Sequence, residues 1–379
     1  MKLKTMFGLV GAAMMMVLAV SVTAGPPKVG RSWTDMPIKV ANGSENPFPT
    51  GSFTAASASN GKAGWMFGGV INDFTENPVY NNRLFRIDPT GNNVLFTQIV
   101  PHGDSPTKRA FPSMAVTRKG NQENVYVFGG GTFPFNIPLA NDDKFWRYNS
   151  TANTWTDLTS TGGPIARMGA TLVAHEDSLY LFGGISFDFS IEFFVLHNDL
   201  WRFNTKSQTW TQLSDGTNGP AARHVAMGAI VEDDKLLIYG GERVEVEFFP
   251  EFSIEFPIDT STWVWDIENG EWTQLADGPA RNYGAVGNNG DALIMFGGDE
   301  AGGVTCAGSP FNQATTNGTF TFSVDSGWQQ QTTFIPPAPV KRTAGFVLHN
   351  NFYTFGGFDF TCEDGQIWNN KVHRIHFKD

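Results

Sequence analysis

The sequence predicts an all-β fold, a six-bladed β-propeller, and three observations carry that prediction. An apolar run ending in Gly-Gly recurs six times, a second strand-like run follows each pair, and a run opened by a large aromatic follows five of those. Self-similarity at a period of about 50–60 residues, with several short strands per unit, is the pattern of propeller blades. Glycine at 42 residues and aromatics at 13% suit strands and turns better than helices.

The Gly-Gly runs are WMFGG (65–69), VYVFGG (125–130), LYLFGG (179–184), LLIYGG (236–241), LIMFGG (293–298) and FYTFGG (352–357). Each mixes aromatic and aliphatic residues, as a buried strand does, and is stopped by a pair that permits positive φ. The next strands are expected at 84–88, 145–149, 200–204, 262–266, 320–325 and 372–377. The third runs open at Phe96, Trp155, Trp210, Trp272 and Trp328. An arginine opens a further strand ahead of each of the last five pairs: Arg109, Arg167, Arg223, Arg281 and Arg342. The first unit has Thr50-Gly51 near that place instead. The sixth unit reaches Asp379 without its tryptophan run, while an orphan WTDM stands at 33–36. The N-terminal segment is therefore expected to supply the outer strand of the last blade. That closes the ring and removes the open sheet edges.

Residues 1–24 read as a secretory signal peptide. Lys2 and Lys4 precede an uncharged apolar stretch over 6–22, and Val22-Thr23-Ala24 offers a small-residue cleavage site. Cleavage after Ala24 leaves the propeller at 25–379 and a secreted or periplasmic protein, with no membrane span after cleavage. The mature chain has a net charge of −13, two cationic lysines having left a chain of −11. That acidity argues against a nucleic-acid partner, which needs a basic footprint, and against anionic membrane surfaces.

Six copies of an apolar run into Gly-Gly, an aromatic strand and a tryptophan resemble the kelch-repeat family, in its exported bacterial type and in the central propeller of galactose oxidase. The resemblance covers essentially all of the mature chain. It implies that the long segments between Gly-Gly and the next strand share one face of the ring, the usual ligand face, and that the five arginines rim the central channel there. These six segments hold 14 of the 33 phenylalanines and 18 acidic against four basic residues, so they carry the chain's whole negative charge. Two readings of the arginines stay open. They hydrogen-bond carbonyls and collar carboxylates within the scaffold, or they offer forked donors to an anionic ligand group.

The catalytic chemistries of kelch-type enzymes do not carry over residue by residue. The two-His, two-Tyr copper set of galactose oxidase has no counterpart, and no cofactor or metal is expected. Glu192, His197 and Asp199 are the nearest approach to the iron set of plant nitrile-specifier-type proteins, at a spacing that does not match. Export and blade count fit the bacterial sialic acid mutarotases, whose reaction needs an acid–base pair near the channel. The candidates for it are His224, directly after Arg223, and Glu242, Asp299 and Glu300, directly after Gly-Gly.

The pentapeptide FSIEF occurs at 189–193 and 252–256, in the loops of blades three and four. If extended, it alternates apolar and polar residues, which presents Glu192 and Glu255 to solvent or ligand. Cys306 and Cys362 fall in the loops of blades five and six, and in an exported chain they are expected to be bridged. The expected function is a non-catalytic module binding a protein or carbohydrate through the acidic, Phe-rich loop face. The alternative is a sugar-acid mutarotase-like or other kelch-type carbohydrate enzyme at the channel rim.

Overall fold

Six antiparallel sheets follow one another along the chain, with no helix among the described residues. Each has a four-stranded core, which N-terminal strands extend in the first sheet and complete in the last. The computed structural model describes residues 28–45, 56–59, 62–70, 78–132, 144–188, 190, 193–247, 253–290, 292–300, 314–361, 363 and 365–378. The signal segment, Glu192, Cys306 and Cys362 lie outside them.

The innermost strands are Ala56–Ser59, Ser113–Lys119, Thr171–His175, Met227–Val231, Ala285–Asn288 and Ala344–Leu348. Each packs on the next, and the last packs back on the first, so the sheets are the six blades of a closed propeller. Closure uses both ends of the chain. Lys28–Val29 and Thr34–Met36 pair antiparallel with Val372–Lys378, with Met36 opposite Val372 and Val29 opposite Phe377. The next segment, Ile38–Val40, runs parallel to the outer strand of blade one, Asn93–Ile99.

One packing rule is repeated at all six blade interfaces. The aromatic residue ahead of each Gly-Gly meets an aromatic residue from the outer strand of the following blade. The pairs are Phe67–Trp155, Phe128–Trp210, Phe182–Trp272, Tyr239–Trp328, Phe296–Trp33 and Phe355–Phe96, with ring centroids 4.1–5.9 Å apart. Such pairs add about 0.5–1.5 kcal/mol each beyond the area they bury.

The Gly-Gly pairs are required by space as well as by φ. A Cβ on Gly129 (φ +62°) would stand 2.1 Å from the carbonyl oxygen of Arg167 in the next blade. In blade three the pair does not stop the strand. Ser178–Asp188 runs through Gly183 and Gly184 by a register shift between Phe182 and Gly184, and pairs along Phe193–Asn204 beyond the ring. The double glycine there acts as a bulge in a longer hairpin, because the residues after it continue the alternation of a strand.

Candidate functional site

The arginines of blades two to five come to equivalent places, and all four are buried. The carbonyls of Arg109, Arg167 and Arg223 accept the N–H of the second glycine of the preceding blade, Gly69, Gly130 and Gly184. Their guanidinium groups donate to the first glycine carbonyl of their own blade, Gly129, Gly183 and Gly240, at 2.8–3.1 Å. Loop carboxylates pair with Arg167, Arg223 and Arg281: Asp199 binds Arg167 through both oxygens (2.5 and 3.0 Å), Asp259 binds Arg223 at 2.8 Å and Glu300 binds Arg281 at 3.1 Å. The link between blades is made by the backbone carbonyls of Arg109, Arg167 and Arg223, while the guanidinium groups brace the glycine turn and the loop carboxylates of their own blade.

Arg342 is not the fifth member of that set. In blade six the carbonyl that accepts the Gly298 N–H belongs to Val340, a buried residue. The carbonyl contact needs only a backbone oxygen, so valine supplies it without a guanidinium. Arg342 lies two positions further on, in register with Phe111, Gly169, Val225 and Tyr283. All five have left-handed φ, between +49° and +59°. Each stands two residues ahead of an innermost strand. Backbone hydrogen bonds link them from blade to blade: Gly169 N–H to Phe111 O, Val225 N–H to Gly169 O and Arg342 N–H to Tyr283 O, at 2.7–3.0 Å.

This girdle crosses the axis. Blades two and five are opposite in the ring order, yet the rings of Phe111 and Tyr283 have centroids 6.3 Å apart. The Arg342 guanidinium lies 4.6 Å from the Tyr283 ring, 5.5 Å from Phe111 and 5.8 Å from Phe358. Together these side chains form a plug at the loop end of the channel. Along the axis, a cavity of about 290 Å³ is lined by the innermost strands of blades two to six, with Ala115, Ala174, Ala229 and Gly287 among its walls. A larger cavity of about 670 Å³ lies off the axis, between residues 102–107 and the outer strands of blade two. None of the candidates read from the sequence lines it.

Beside the plug, in blades two to six, the first residue after Gly-Gly pairs with the first residue after the arginine position. On one side these pairs are Ala110–Gly131 and Met168–Ile185; on the other they are His224–Glu242, Asn282–Asp299 and Lys341–Phe358. The fold thus brings together His224, Glu242 and Asp299. Glu242 is 6% exposed. It accepts hydrogen bonds from the Asn282 amide and, at 3.1 Å, from the Tyr283 hydroxyl, and its carboxylate lies 3.4 Å from His224 Nε2. Burial pushes the Glu242 carboxyl up to about 7, with Arg342 acting against it. Burial, reinforced by Arg342, pushes His224 down to about 4. At neutral pH the imidazole is neutral and the carboxyl is shared between its two forms. Asp299 makes a buried ion pair with Lys341 at 2.8 Å. Desolvation raises the carboxyl of Asp299 and lowers the ammonium of Lys341, each tempered by the other.

The remaining candidates are elsewhere. Glu300 is half exposed and committed to Arg281. Glu255 is exposed in a small hairpin of blade four, Glu245–Glu247 against Ser253–Glu255, directly opposite Glu245. Asn282, Tyr283, Lys341, Phe111 and Phe358 were missed by sequence reasoning. Their signal was the repeat frame itself: they occupy the first or second place after the arginine position, or the first after Gly-Gly. Among the described residues, no group of three or more His, Cys, Asp or Glu is placed to hold a metal ion, and no helix is long and apolar enough to cross a membrane.

Comparison with known proteins agrees with this architecture. Residues 52–280 match the family described as the KLHDC2/KLHL20/DRC7 Kelch-repeats domain. The Kelch domain-containing protein 3 of Rattus norvegicus is 27% identical over 188 residues, 48% of this chain and 45% of that protein. The Homo sapiens protein of that name is 27% identical over 186 residues, with the same coverage. The Kelch domain-containing protein 10 of Xenopus laevis is 28% identical over 183 residues, 47% of this chain and 40% of its own length. The chain therefore spans less than half the length of these relatives.

Proposed function

This chain belongs to the kelch-repeat family, and from that premise we propose that it is an exported binding module that takes a protein or carbohydrate ligand on its loop face, over the plugged channel mouth. The observation that carries the reading is the division of charge. The long loops hold 18 acidic and four basic residues, whereas the blades beneath them are close to neutral. Loops on a rigid scaffold are where recognition is commonly built, and here the scaffold arginines are already occupied by glycine carbonyls and loop carboxylates. Selection of a displayed random-peptide library on the whole protein, repeated on a variant with residues 243–258 replaced by a short turn, tests this. Peptides enriched by the first and lost by the second support it. Peptides retained equally by both overturn it.

A second reading has one observation in its favour, the contact of His224 with Glu242. A neutral imidazole beside a carboxyl poised near 7 is a general acid–base pair suited to neutral pH, as a sugar-acid mutarotase-like activity requires. Anomeric exchange of sialic acid, followed by NMR, would be accelerated by the protein and returned to the uncatalysed rate by Glu242→Gln. No acceleration by the unaltered protein removes this reading.

A further inference from the structure

The plug has the composition of a cation site that the protein fills with its own side chain. Three aromatic rings, Phe111, Tyr283 and Phe358, surround one guanidinium at 4.6–5.8 Å. Two acidic groups lie close enough for Arg342 to draw down the pKa of both, Glu242 and Asp299. Ring faces and carboxylates are the two groups that recognise an organic cation with a delocalised or alkylated charge. The cage comes from blades two, five and six, so it exists only in the closed ring. Its occupant is not part of the carbonyl link between blades, since Val340 supplies that contact in blade six. The acidic loops above would favour an incoming positive charge.

We infer that the channel mouth is a recognition site for the guanidinium or alkylammonium group of a basic ligand, with Arg342 as an intramolecular competitor that the ligand's cation displaces. This rests on the loop face being the binding face, and it narrows the ligand class to cationic groups. Competition from within lowers the apparent affinity in proportion to the fraction of molecules whose cage is vacant. Removing Arg342 therefore strengthens binding of an external cation.

The probe is N-acetyl-arginine N-methylamide, with its uncharged citrulline counterpart as control, titrated calorimetrically into the full protein and into Arg342→Ala and Arg342→Gln. Both variants are expected to bind the arginine probe at least tenfold more tightly than the unaltered protein, and to discriminate against citrulline. Adding Tyr283→Leu to Arg342→Gln should abolish the gain. Binding should strengthen from pH 7 to pH 9 as Glu242 loses its proton; the charged and titratable groups facing it are His224, Tyr283, Asp299, Lys341 and Arg342. Equal affinity of the unaltered protein and a folded Arg342→Gln, or equal binding of citrulline, overturns the inference. The same titration on Arg342→Gln with residues 243–258 shortened separates the two ideas. Retained binding there upholds the cage whatever the loop experiment shows, and binding lost with the loop overturns it as a self-contained site.

Discussion

Blades two and three differ from blades four to six at the same two positions of the repeat. On the first side the residues beside the channel mouth are Ala110, Gly131, Met168 and Ile185; on the second they are His224, Glu242, Asn282, Asp299, Lys341 and Phe358. The backbone treats both sides alike. Each pair is bridged in the same way, each is preceded by the same glycine pair, and each is followed by a girdle residue with left-handed φ. The frame therefore sets where a side chain goes, and the side chain alone sets what the place can do. Apolar residues make one half a packing surface. Ionisable ones, sealed under the same girdle, become a coupled set whose protonation states depend on burial.

The sharpest way to break this comparison is to unbalance the charged half. Lys341→Ala leaves Asp299 buried without its cation and should cost about 3–5 kcal/mol in chemical denaturation, whereas Lys341→Met with Asp299→Leu should recover most of that loss. Equal stability of the single and double variants would show that the pair is not coupled. The matching cut on the apolar side, Met168→Ala, removes buried volume only and should cost about 2–5 kcal/mol, with a pH dependence identical to that of the parent.

A milder effect is the pH dependence of Glu242. Its folded pKa, about 7, lies above that of an unfolded glutamate, so the folded state holds the proton more tightly. Stability from this group is present below pH about 4.5 and is lost as pH rises through 7. The difference in unfolding free energy between the unaltered protein and Glu242→Gln should fall by up to about 3 kcal/mol across that window. A flat difference curve would mean that the carboxyl is solvated. The smallest effect concerns the blade-four hairpin, where Glu245 faces Glu255 directly. Glu255→Lys should raise stability by about 0.2–1 kcal/mol, seen as a small upward shift in Tm.

Most of the scaffold was legible because its requirements fall on residue types. Positive φ beneath a neighbouring carbonyl demands glycine, and the interface aromatic demands an area that few side chains offer. The orphan tryptophan run at 33–36 foretold the closing strand. Arg342 was misplaced in the repeat because the contact that recurs at the arginine position, made in blade six by Val340, uses a backbone carbonyl, which leaves no mark on residue identity. The trace it did leave was spacing. Arg167, Arg223 and Arg281 precede the second glycine by 17 or 18 residues, as Val340 does by 17, and Arg342 by only 15. The grouping around Glu242 was half visible. Its acid and histidine stood out next to motif residues, but Tyr283 and Lys341 acquire their roles only once six blades bring separate segments to one axis.

The closing strand has a consequence for how the molecule comes into being. Val372–Lys378 pairs with Lys28–Val29 and Thr34–Met36, and Trp33 fills the interface against Phe296 of blade five. Until the last residues are available, the first ones have no sheet to join, and the ring keeps two raw flanks. Assembly is therefore a race between two distant termini meeting and those flanks meeting something else, and the entropy of that long loop slows it. A chain lacking residues 28–36 or 372–378 would lose the whole circle rather than one sixth of it.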